Sequence, residues 1–168
     1  MNERIERKLA AAAVAAVCAA SAVLPAAPAA FGAEITRDEY VARVEPICKR
    51  NTEANRRIFA GAKGEVKAGE LKKASKRFFR AAEALEKAIG QLDAVPKPPP
   101  DAPKLSKWIG YLEREGGLLG EIGGALAKEN KGRAQVLSVR LRRNSNLANN
   151  TVLGFDFEYC RIDPSRFS

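Results

Sequence analysis

The stretch at residues 66–92, VKAGELKKASKRFFRAAEALEKAIGQL, decides the fold. Within it Leu71, Phe78, Leu85 and Leu92 recur every seven residues, and Ala74, Ala82 and Ile89 fill the other core positions. Apolar side chains at that spacing form one stripe along a helix and none along a strand. Lys72, Lys73, Lys76, Arg77 and Arg80 fall mainly on the opposite surface. The segment therefore reads as an amphipathic helix whose apolar side needs partners.

Three further segments supply them. The first begins at Thr36, where Thr36 and Glu39 have the spacing of a capping box and Ile35 can staple onto Tyr40. Tyr40, Val44, Ile47, Ala54 and Ile58 share a face; Pro46 is expected to kink this helix, and Gly61 and Gly64 mark its end. The third predicted helix covers 104–128, with Leu105, Leu112, Leu119 and Leu126 again seven apart and Trp108, Ile109 and Ile122 beside them. Its Gly116, Gly120 and Gly124 lie four apart on one face, and each glycine costs a helix about 1 kcal/mol against alanine. The expected compensation is close approach of a neighbouring helix; the alternative is a break near Gly116 and Gly117. The fourth begins after Asn130-Lys131-Gly132 and turns Ala134, Leu137, Leu141, Ala148 and Val152 inward, with Arg140, Arg142 and Arg143 outward or flanking. A proline-rich linker, residues 95–103, divides the set into two helical hairpins. No segment alternates as a strand. The fold expected is all-α, an antiparallel up-down four-helix bundle over residues 34–168 closed by one disulfide.

Residues 1–33 read as a signal peptide. Arg4, Arg7 and Lys8 precede an apolar run from Leu9 to Leu24, followed by Pro25, Pro28 and several alanines. Small residues permit cleavage after Ala29 or after Gly32. Retention as an uncleaved anchor is the alternative, but the run is shorter than the ~20 residues a spanning helix needs. Cys18 follows the bulky Val17, which argues against a lipidated cysteine. The mature chain then keeps Cys48 and Cys160. An even pair in an exported protein reads as a disulfide, with two buried free thiols as the alternative. The enclosed loop spans most of the domain, so the bridge contributes about 4–5 kcal/mol at most.

Helix geometry sharpens that expectation. Cys48 lies about twelve residues into the first helix, roughly 18 Å along its axis. A fourth helix continuing to Cys160 would hold the sulfurs too far apart. If it instead stops at Leu153, with Gly154 in a left-handed cap, six extended residues cover about 20 Å back to Cys48. Residues 155–160 are therefore expected to fold back along the first helix, burying Phe155, Phe157 or Tyr159.

Three pieces of text resemble a group of uncharacterised exported helical-bundle proteins of high-GC Gram-positive bacteria. They are Tyr40-Val41-x-x-Val44-x-x-Ile47-Cys48-Lys49-Arg50, the run Ala-Pro-Lys-Leu-x-x-Trp-Ile from Ala102 to Ile109, and Gly154-Phe155 followed shortly by Cys160. The resemblance implies the helical fold and the disulfide, and no activity. Pro46 and the glycines of the third helix depart from its usual alanine- and leucine-rich text.

The 168-residue chain contains no histidine, and Met1 is its only methionine. That removes the commonest general base and the usual zinc, copper and haem ligands. Neither a phosphate-cradling glycine loop nor a nucleophile elbow appears. Glu83 with Glu86, and Glu113, Glu115 and Glu121, are expected to be exposed members of ion pairs. Net charge is +9, of which only +1 comes from residues 1–33. A basic exported domain points to an anionic envelope polymer, lipid head groups or an acidic protein as partner, rather than nucleic acid. The expectation is a non-enzymatic binding module without cofactor or metal. Its anion-binding residues would be Arg56, Arg57, Lys72, Lys73, Lys76, Arg77 and Arg80. The alternative is a carrier holding a small apolar ligand in a cleft lined by Trp108, Gly116, Gly120 and Gly124.

Overall fold

The computed structural model describes residues 34–162. The expected signal peptide, with its cleavage sites, lies outside the described residues. The elements are α1 (Arg37–Phe59), α2 (Ala62–Lys67), α3 (Leu71–Asp93), a 3₁₀ turn (Pro99–Asp101), α4 (Ala102–Ala127) and α5 (Lys131–Thr151). No strand occurs among the described residues, and no helix there is long and apolar enough to cross a membrane.

Local chemistry sets the ends of these helices. The Thr36 side chain accepts from the Glu39 amide, and the Glu39 carboxylate accepts from the Thr36 amide at 2.8 Å, completing the capping box. α1 is continuous through the exposed Pro46. Asn130 caps α5 by accepting from the Arg133 amide at 2.9 Å. The element missing from the sequence reading is α2. It sits between Gly61 at φ +87° and Gly69 at φ +80°, both left-handed and suited to glycine. The Glu70 amide bonds the Glu65 carbonyl and the Gly69 amide bonds the Val66 carbonyl, which ends α2 and turns the chain into α3. The amphipathic helix therefore starts at Leu71 rather than Val66.

α3 packs along α4, α4 along α5 and α1 along α3, while α2 rests on α3. Facing contacts run in opposite sequence directions. Arg50 meets Gln91 and Phe59 meets Phe78 between α1 and α3. Leu85 faces Gly116 and Phe79 faces Gly123 between α3 and α4. Tyr111 meets Asn144, and Glu121 meets Arg133, between α4 and α5.

α1 and α5 are not among the closely packed pairs. The C-terminal tail, residues 155–162, helps close the core beside both helices. Phe155, Phe157 and Cys160 are buried in one cluster with Tyr40, Val44, Ile47 and Cys48 of α1, Trp108 of α4 and Ala148 of α5. Cys48 and Cys160 form a disulfide with Cα atoms 4.9 Å apart. Phe157 packs on Trp108 at 5.4 Å between ring centroids, and Phe155 stacks on Phe157 at 5.3 Å. Of the three aromatics, Tyr159 stays half-buried, with the Lys49 ammonium 5.1 Å from its ring centroid.

Polar bonds fix the tail further. The Glu45 carboxylate accepts from the amides of Glu158, Tyr159 and Cys160 at 3.0, 2.9 and 3.2 Å. Asn149 donates to the Ile162 carbonyl at 2.6 Å and accepts from its amide at 2.7 Å. Arg37 forks onto the buried Asp101 at 2.7 and 2.8 Å, reaches the Gly154 carbonyl at 3.3 Å and covers the Phe155 ring at 4.9 Å. One departure from expectation is Gly154, which is not left-handed. α5 ends at Thr151, and the Phe155 amide returns to the Val152 carbonyl in an ordinary turn.

A second cluster occupies the other end, around Leu71, Phe78, Leu119, Ile122 and Leu137. There α1 supplies only the partly buried Ile58 and Phe59. Replacing both cysteines by alanine should cost up to about 4–5 kcal/mol of stability. It should also shift Trp108 emission to the red as Phe157 loosens. Denaturant melts and fluorescence spectra of the two forms check this; identical midpoints and spectra would contradict it.

Candidate functional site

The basic residues of α1 and α3 divide into two groups. Arg77 is drawn into the structure: its guanidinium forks onto Glu65 at 2.7 Å twice and donates to the Ile58 carbonyl at 2.7 Å. Lys73 adds ion pairs to Glu65 at 3.4 Å and Glu70 at 3.0 Å. Arg77 and Lys73 together hold the Glu65 carboxyl below the usual carboxylate range, Arg77 having the larger effect. These two cations clamp α2 onto α3. Arg56, Arg57, Lys72, Lys76 and Arg80 remain exposed.

α5 carries a surface of different character. Lys131, Arg133, Arg140, Arg142 and Arg143 face no carboxylate on their own helix, because α5 has none. Arg133 bonds Glu121 at 3.5 Å, whereas Arg140, Arg142 and Arg143 are exposed and make no ion pair among the described residues. Val136, Val139 and Leu147 lie exposed between them at 49%, 57% and 43%. At 100° per residue Val136, Arg140, Arg143 and Leu147 share one stripe, with Val139 beside it. The face is cationic and apolar at once.

The expected cleft of Trp108 with Gly116, Gly120 and Gly124 does not form. Trp108 is fully buried against Phe157, and none of the three glycines lines the cavity that Trp108 borders. Nor do they admit a close neighbour. A Cβ at Gly120 or Gly124 would meet nothing within 4 Å, and one at Gly116 only Leu85 Cδ2 at 4.0 Å. Close approach occurs one position away, where a Cβ on Gly123 would lie 3.1 Å from the Phe79 ring.

Beside Trp108 lies a cavity of about 60 Å³, bordered by Asn51, Thr52, Asn55 and Glu115. Its polar walls and size suit about one or two ordered waters. Trp108 Nε1 and Asn55 Oδ1 are buried with no hydrogen-bond partner in the protein. Glu115 corrects the expectation of an exposed ion pair: it is 3% exposed and its carboxylate oxygen accepts from Ser145 Oγ at 3.3 Å. Burial raises its pKa to about 8. Glu113 and Glu121 are exposed. Among the described residues no three His, Cys, Asp or Glu side chains gather as metal ligands.

At the opposite end, α2 and the ends of α3, α4 and α5 frame a groove of about 370 Å³. Phe78, Ile122 and Leu126 form its apolar floor, Val66 belongs to the α2 wall, and Lys63, Lys67 and Lys131 line it from exposed positions. Sequence reading missed this groove because it missed α2. Against family models, curated proteins and solved structures the chain finds no match.

Two outcomes follow from this geometry. Below pH 4.5 Glu115 is protonated in both folded and unfolded chains. Between 4.5 and about 8 the unfolded chain releases the proton and the folded chain keeps it, so stability falls as pH rises. Asp101 acts in the opposite sense: Arg37 holds its pKa low, so its contribution is lost on acidification. Glu115→Gln should therefore melt higher than the parent near pH 8 and flatten the fall between pH 4.5 and about 8; parallel pH profiles of the melting temperature would contradict this. Gly120→Ala and Gly124→Ala should each stabilise by about 0.5–1 kcal/mol. Gly123→Ala should gain less or lose, because Phe79 must move; denaturant melts of the three variants compare them.

Proposed function

We propose that the mature chain is an exported, antiparallel up-down four-helix bundle acting as a non-enzymatic binding module on anionic lipid head groups of the cell envelope. The opposed contact order of successive helices supports the topology. The Cys48–Cys160 bridge and the basic, apolar and small-residue order of residues 1–33 support export.

The observation that carries the partner is the α5 face. Arg140, Arg142 and Arg143 offer positive charge with no carboxylate on the helix, and Val136, Val139 and Leu147 offer apolar contact in the same stretch. A soluble polyanion uses only the charges. A head-group layer uses both, since the arginines meet phosphates while short apolar side chains enter the acyl boundary. Each basic residue at an anionic surface contributes about 1 kcal/mol, so Arg140 and Arg143 on the stripe give affinity that salt readily weakens. Lys72, Lys76 and Arg80 on α3 would add long-range attraction for the same charge.

Co-sedimentation with phosphatidylglycerol vesicles should show binding that falls with salt and is absent from phosphatidylcholine vesicles. Arg140→Glu with Arg143→Glu should weaken it at least about tenfold, near the 1.4 kcal/mol that a tenfold change represents. Equal binding to neutral vesicles, or no loss in the double variant, would overturn the reading.

A further inference from the structure

The groove under α2 has a construction that the head-group reading does not use. Its floor belongs to the second core cluster: Phe78, Ile122 and Leu126 are all less than 9% exposed as whole residues, yet they border the open volume. The reason lies in the chain path. α1 supplies only its last turn to this end of the core, and α2 takes its place as a wall. A six-residue helix covers less apolar surface than the long helices do. It is held at a set position by the Arg77 and Lys73 grip on Glu65, and left-handed glycines stand on either side of it.

The charges around the groove have one sign. Lys63 and Lys67 come from α2 and Lys131 from the start of α5, whereas no acidic residue lines the volume. Glu65, the acid on α2, is turned away into the grip of Arg77 and Lys73. A pocket of about 370 Å³ falls within the range of small-molecule sites, about 300–1,000 Å³. Apolar floor and cationic margin together specify a ligand with a flexible hydrocarbon tail and a single anionic head. A neutral hydrocarbon would leave Lys67 and Lys131 unmatched, and a compact anion would leave the floor unused.

We propose that this groove binds one fatty carboxylate, its chain on Phe78, Ile122 and Leu126 and its carboxylate beside Lys67 and Lys131. The site is separate from the α5 stripe used in the head-group reading, and the two fail independently. The test is calorimetric titration of the oxidised chain with decanoate, kept below its critical micelle concentration, beside decan-1-ol as the neutral match. Backbone amide NMR shifts locate the binding. Decanoate should bind at one site per chain, at least about tenfold more tightly than decan-1-ol. Lys67→Glu and Lys131→Glu should each weaken decanoate several-fold and leave decan-1-ol unchanged. Val66→Trp should fill the groove and abolish binding with melting behaviour retained. Arg140→Glu with Arg143→Glu, which removes vesicle binding in the head-group reading, should leave decanoate affinity unaltered. Shifts should map to α2 and the adjoining ends of α4 and α5. Absence of saturable binding, equal affinity for acid and alcohol, or shifts centred on Trp108 would each overturn the proposal.

Discussion

The docking of residues 155–160 beside α1, held by the Cys48–Cys160 bridge, is the constraint on which the rest of the fold depends. α1 packs along α3, and α1 and α5 are not closely packed with each other. Without the tail, the side of Trp108 that Phe157 covers would lose that cover, and the cluster it shares with Tyr40 and Val44 would lose both phenylalanine rings. An irregular segment cannot satisfy all its own amides as a helix does. Glu45 and Asn149 therefore act as the tail's hydrogen-bond partners, the first taking three consecutive amides and the second pairing with Ile162. Arg37 ties the same region to the start of α4 through Asp101. The disulfide thus works with a bonded, packed segment rather than as an isolated crosslink.

The two ends of the core have different finishes. At the tail end, aromatic rings, a disulfide and an Arg–Asp fork seal the interior, and the remaining space is a small polar cavity beside Glu115. At the other end a short helix stands in for a long one, and the core there borders a groove with a lysine margin. The disulfide and the Arg37–Asp101 fork lie where the tail docks, and the larger concavity lies where it does not. The raised pKa of Glu115 belongs to the sealed end, which makes it a stability feature coupled to pH rather than part of a surface site.

Long-period features were legible from residues alone. The seven-residue repeats of Leu71 to Leu92 and Leu105 to Leu126 gave two helices, Thr36 with Glu39 gave the start of the first, the even cysteine pair gave the disulfide, and the reach argument gave the returning tail. What escaped was short or depended on neighbours. α2 is only six residues long, too short for a period to emerge, although Gly61 and Gly69 marked its ends. Arg77 looked like a surface cation because its burial comes from α2 packing over it. The glycines four apart share a face, but the neighbouring helix approaches Gly123 instead, a matter of helix rotation that spacing does not reveal. Glu115 did carry a signal. It lies seven residues after Trp108 and three after Leu112, in phase with the buried stripe, so its register pointed inward even though its charge suggested otherwise.

Native-state hydrogen exchange of the amides of Glu158, Tyr159, Cys160 and Ile162 tests the tail's role most directly. These four donate to Glu45 and Asn149, side chains on two different helices. The account predicts that they open with a free energy close to that of the core amides of α4, because the tail leaves only when the bundle opens. Exchange at the rate of unprotected chain, with α4 still protected, would show that the tail is an accessory and that the bundle holds together without it.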